Sequence, residues 1–139
     1  LTLRLMFVRL IDALIEEGQT EKALDALNYC MEKIPETAVR HDYTSIMLGE
    51  DYFKLHRPEQ AVALLNQIAD DAVANLNWYF SLTPNQFGTV IRDAGISLQV
   101  LQNIAQIYEK NGYPELAEKY QQDFQSMYIK WASPQNGNK

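Results

Sequence analysis

One cysteine, two histidines, six glycines and five prolines in 139 residues leave little material for several kinds of protein. A lone thiol cannot build a disulfide scaffold or a Cys-rich metal knuckle. Glycine and proline this sparse exclude a collagen-like or low-complexity chain. Long apolar runs are also missing: no stretch approaches the roughly 18 uncharged apolar residues that cross a bilayer, and no signal-peptide pattern is present. Cationic charge is in deficit, with 12 basic against 18 acidic side chains and a net charge of −6, which argues against nucleic acid as a partner. What remains abundant is apolar, 47% of the residues. That is enough for one soluble globular domain, which at this size buries about two thirds of the surface its unfolded chain exposes.

The two ends carry an expectation about context. The chain opens Leu1-Thr2-Leu3 without an initiator Met and with a helical pattern already running. At the other end residues 132–139 lose all periodicity and read as a flexible tail. The expectation is a C-terminal fragment.

Self-similarity is the strongest internal signal. Ala13 to Ala26, Asp51 to Leu64 and Ile107 to Tyr120 share one grammar: an amphipathic stretch, a break, an acidic or Pro-Glu start, and a second stretch. The breaks Gly18, His56 and Gly112 are each followed five residues later by alanine, at Ala23, Ala61 and Ala117. Glycine at a break allows the positive φ that closes a helix, so His56 is expected to be a more strained turn. Alanine early in the second stretch lets two helices approach closely. The starts Thr20-Glu21 and Pro58-Glu59 set acid against the positive end of a helix.

These residues resemble the tetratricopeptide repeat, a helix-turn-helix unit of about 34 residues. Three degenerate units fit, about 4–37, 42–75 and 98–131. The first supplies Leu14, Gly18, Ala23, Leu27, Cys30 and Pro35. The second supplies Gly49, Tyr52, Ala61 and Leu65, with His56 in place of Gly and Val73 in place of Pro. The third supplies Ala105, Tyr108, Gly112 and Ala117, then departs at Gln121 and Phe124. The fold class expected is all-α, a single domain over 1–131 of antiparallel helical hairpins.

Spacing locates the irregularities. Gly18 and His56 are 38 residues apart, which makes residues 38–41 a longer connection; His56 and Gly112 are 56 apart, which leaves an insertion at 76–97. Thr83-Pro84 has the N-cap and first-turn signature of a new helix. The insertion is therefore expected to lengthen both flanking helices by about ten residues, roughly 15 Å each, so that elongated helices join the last two units. A kink is expected at Asp93-Ala94-Gly95.

In the repeat family, defined positions of each first helix line a groove that holds a peptide or partner helix. Carried over, these are Leu5, Val8, Asp12, Ile15 and Glu16, then Tyr43, Ile46, Glu50, Phe53 and Lys54, then Gln99, Gln102, Gln106, Glu109 and Lys110. No Lys/Arg cluster is present to clamp a terminal carboxylate. Trp78-Tyr79-Phe80 covers about 200° of a helix, so at least one ring is expected to be exposed as a partner contact and the others to pack on Phe87, Val90 and Ile91. Neither His41 nor His56 has metal-ligand spacing to a Cys or carboxylate, and no nucleophile elbow or phosphate loop occurs. Cys30 reads as a buried thiol. Glu16-Glu17 and Asp70-Asp71 point about 100° apart and read as solvated surface. No catalytic, cofactor or metal site is expected.

The order Arg4, Phe7, Arg9-Leu10, Leu14, Gly18, Ala23, Cys30-Met31-Glu32, Ile34-Pro35, Asp42-Tyr43, Tyr52 and Trp78-Tyr79-Phe80-Ser81-Leu82 resembles one particular setting. It is similar to the C-terminal tail of large polytopic bacterial membrane proteins distantly related to protein O-mannosyltransferases. The resemblance implies a non-catalytic interaction or scaffolding domain on the periplasmic face, whose partner is a polypeptide or the parent's own membrane domain. The alternative is a free-standing cytoplasmic adaptor that binds peptides and has no link to sugar transfer.

Overall fold

The computed structural model describes residues 3–33 and 43–132. The expected connection at 38–41, with Pro35 and His41, and tail residues 133–139 lie outside the described residues. Every element in the described chain is an α-helix: α1 (Leu3–Glu16), α2 (Thr20–Lys33), α3 (Tyr43–Lys54), α4 (Pro58–Phe80), α5 (Pro84–Lys110) and α6 (Pro114–Ala132).

The turns that end α1, α3 and α5 share one hydrogen-bonding pattern. At the first, the Gly18 N–H donates to the Ile15 carbonyl at 3.0 Å and the Gln19 N–H reaches back to Leu14 at 2.9 Å. At the second, His56 donates to Phe53 at 3.1 Å and Arg57 to Tyr52 at 2.9 Å. At the third, Gly112 donates to Glu109 at 3.3 Å and Tyr113 to Tyr108 at 2.8 Å. This pair of bonds is the Schellman closure, which satisfies carbonyls that a helix end leaves orphaned and needs a left-handed residue. Gly18, His56 and Gly112 supply it with φ of 78°, 59° and 86°. The N–H groups of Ala23, Ala61 and Ala117 then make early bonds of the following helices, and all three side chains are buried.

The expected lengthening around 76–97 is present: α4 has 23 residues and α5 has 27, against 14, 14 and 12 in the first three helices. Thr83 caps α5 in a reciprocal box, accepting from the Gln86 N–H at 3.3 Å while its own N–H donates to Gln86 Oε1 at 3.2 Å. Just before it, the Ser81 hydroxyl donates to the Trp78 carbonyl at 2.6 Å as α4 ends. α5 is helical throughout Asp93-Ala94-Gly95, where a kink was expected.

The chain divides into two compact units, residues 1–66 and 67–139, with the division falling inside α4. In the first, α1 packs on α2, and α3 lies against both. Ile11, Leu27, Cys30, Leu48 and Leu65 are fully enclosed, and the Tyr52 hydroxyl donates to Asn28 Oδ1 at 3.0 Å. Gly49 sits where α3 meets α4: a Cβ there would lie 2.5 Å from Leu65 Cδ2 and 2.7 Å from its Cγ.

In the second unit, α6 packs along α5. Tyr108 stacks on Tyr120 at 6.1 Å, and the Tyr120 hydroxyl donates to Asp70 Oδ1 of α4 at 3.0 Å. Burial first, and for Tyr120 next the bond to Asp70, pushes both phenols well above their ordinary range. Lys119 lies 3.7 Å from Asp70 and 4.4 Å over the Tyr120 ring. Further along, Trp131 Nε1 donates to the Ile91 carbonyl at 3.2 Å, and its ring rests where Gly95 leaves space.

Two substitutions test these contacts. His56→Gly should raise stability by about 1 kcal/mol, because glycine adopts the left-handed conformation without the Cβ clash; the urea midpoint should rise with unchanged slope. Gly49→Ala gains about 1 kcal/mol of helix propensity but overpacks Leu65 at a cost of about 1 to 3 kcal/mol. Its net effect on the midpoint should be a loss.

Candidate interaction surface

Amphipathic spacing places the carried-over positions on two environments. On α1, Leu5, Asp12 and Ile15 are half-buried, Glu16 is exposed, and Val8 is 1% exposed. On α3, Glu50 and Phe53 are half-buried, Lys54 is exposed, and Ile46 is 2% exposed. Val8 and Ile46 therefore belong to the core of the first unit and not to an open face. The spacing of Leu5, Val8 and Ile11 already puts Val8 on the apolar stripe of α1. The side chain of Tyr43 lies outside the described residues. In the second unit Gln99, Gln106, Glu109 and Lys110 are exposed and Gln102 is half-buried. A shallow pocket of about 230 Å³ opens there, lined by Ala105, Gln106 and Glu109 of α5 and by Pro114, Ala117, Glu118 and Gln121 of α6.

Asp12 proves to be one half of a carboxyl pair. The other is Asp51, which the sequence reading did not single out. Asp51 follows Leu48 by three residues and precedes Leu55 by four, so it stands on the buried stripe of α3 and is 1% exposed. Burial, then the hydrogen bond and like charge of Asp12, push its carboxyl up to about 8. Lys54 opposes this from 3.9 Å, and Glu50 adds to it. Asp12 Oδ1 and Asp51 Oδ2 are buried without a hydrogen-bond partner. Two carboxyls so placed can hold and release a proton. Among the described residues, no three His, Cys, Asp or Glu side chains gather where a metal ion could sit.

The aromatic cluster divides as its 100° steps require. Trp78 is 58% exposed, while Tyr79 and Phe80 are half-buried. The Trp78 and Tyr79 rings are 5.5 Å apart, and Phe80 packs on Phe87 at 5.7 Å. Ile91 is exposed on α5. A second apolar surface went unread: Tyr128 and Ile129 are exposed on α6, Ile129 at 69%. Its phase signals this, because Ala117, Tyr120, Phe124, Met127 and Trp131 mark one stripe of the helix and Ile129 falls off it.

Compared with family models, curated proteins and solved structures, the chain gives no match. No helix among the described residues is long and apolar enough to cross a membrane.

The division of the aromatic cluster has a direct test. Trp78→Ala should change stability by no more than about 0.5 kcal/mol, as exposed substitutions do, whereas Phe80→Ala should cost about 1 to 3 kcal/mol. Thermal melts of the two variants separate a contact surface from a packing surface.

Proposed function

We propose that this chain is a non-catalytic protein-interaction or scaffolding domain built from tetratricopeptide-like helical hairpins. The observation that carries the reading is the threefold recurrence of the Schellman closure at Gly18, His56 and Gly112, each with a buried alanine five residues on. Helices returned by such turns present one face of each first helix outward, and proteins of this architecture use that face for extended peptides or helices. The half-buried side chains Leu5, Asp12, Ile15, Glu50 and Phe53, with the exposed Glu16 and Lys54, are the part of the proposed face in the first unit that a partner can reach. Its apolar and acidic character suits a segment carrying apolar anchors and positive charge. The resemblance to the tails of bacterial membrane glycosyltransferase-like proteins makes that partner a polypeptide, either an acceptor protein or the membrane domain of the same chain.

Peptides selected from a random display library on the immobilised domain, then mapped by NMR shift perturbation, test the reading. Perturbations should centre on Leu5, Ile15, Glu50 and Phe53, and Phe53→Ala should weaken binding about tenfold with little change in melting temperature. Perturbations centred elsewhere, or a Phe53→Ala variant that mainly unfolds, would make this face core and end the proposal.

A further inference from the structure

The carboxyls of Asp12 and Asp51 meet across the contact between α1 and α3, two helices that pack on each other in the first unit. Each carries one buried oxygen with no hydrogen-bond partner, Oδ1 of Asp12 and Oδ2 of Asp51. Two ionised carboxylates offer only acceptors, so neither can satisfy the other. A single proton changes that: one carboxyl becomes a donor, and the charge-assisted bond that results is among the strong ones. We propose that Asp12 and Asp51 form a proton-sharing clasp between α1 and α3, closed while the pair retains one proton and loosened when both carboxyls are ionised.

The surroundings favour the protonated form. The Asp51 side chain is 2% exposed, which leaves an ionised carboxylate almost no water. Asp12 faces it from α1; from its own helix Glu50 adds negative charge and Lys54, half in solvent, opposes it at 3.9 Å as the one such cation among the described residues. Among the described residues α2 and α4 bring no charge to bear on it. Burial and Asp12 together hold the Asp51 carboxyl up at about 8, against the 3.8 of an ordinary aspartate. Between those values the folded chain binds a proton that the unfolded chain has released, so the clasp's contribution to stability falls as pH rises through this window. It is complete below the ordinary value of 3.8 and lost above about pH 8.

Amide hydrogen exchange between pH 5 and pH 8, expressed as protection factors, tests the clasp. Protection of α1 should fall by up to about tenfold per pH unit, the limit for one proton, while α6 in the second unit stays constant. Asp51→Asn, whose amide donates permanently to Asp12, should abolish the slope. Carboxyl carbon-13 titration of the unaltered chain reads the pair directly and should place one of the two resonances far above the usual carboxylate range. The proposal is overturned if both resonances titrate near pH 4, if α1 and α6 lose protection in parallel, or if Asp51→Asn keeps the slope. Where that variant fails to fold, the carbon-13 titration of the unaltered chain decides alone.

Discussion

The structure depends on ending a helix abruptly and starting the next within three residues. A helix terminus leaves four carbonyls without partners, and a chain that turns back at once cannot leave them to water on the inner side. At residues 18, 56 and 112 the backbone answers with a left-handed residue and two return bonds, and the alanine five residues on removes the bulk that would hold the new helix away. Packing of α2 on α1, and of α6 on α5, follows from that closure. So does the enclosure of large side chains such as Leu27 and Tyr120, which are completely or almost completely shielded.

The two units fill their interiors differently. The first relies on aliphatic residues and on a very close approach at Gly49, and it also encloses polar groups: Thr44, Ser45 and Asp51 are all buried. The second is tied by rings, from Phe80 on Phe87 through Tyr108 on Tyr120 to Trp131 over Gly95. Aromatic rings contribute large buried area with few rotatable bonds, which suits helices of 23 and 27 residues that must stay in register over many turns. The hydroxyl of Tyr120 and the indole N–H of Trp131 find acceptors in Asp70 and in the Ile91 carbonyl, so the polar ends of these side chains do not offset their apolar gain.

Much of this architecture was legible because it rests on local chemistry. Glycine at a break, proline at a first turn and Thr83 before Pro84 each constrain the backbone within a few residues, and the helix boundaries near 18, 58, 84 and 114 follow from them. What the sequence concealed depends on neighbours far along the chain. An apolar stripe states that a face will be covered but not by what, so Val8 and Ile46 passed for groove positions although both are buried. Asp51 was hidden for the converse reason: a carboxylate on a helix is solvated in most settings, and its place between Leu48 and Leu55 acquires meaning once α1 brings Asp12 beside it.

His56 carries a further consequence. In this closure the backbone does all the bonding, so the side chain at the left-handed position is a bystander to the fold. Two of the three turns leave that place blank with glycine, and the third puts an imidazole into solvent there. A turn made this way has evolutionary latitude: it can trade a modest, local conformational cost for a new functional group on the surface without renegotiating the packing on either side.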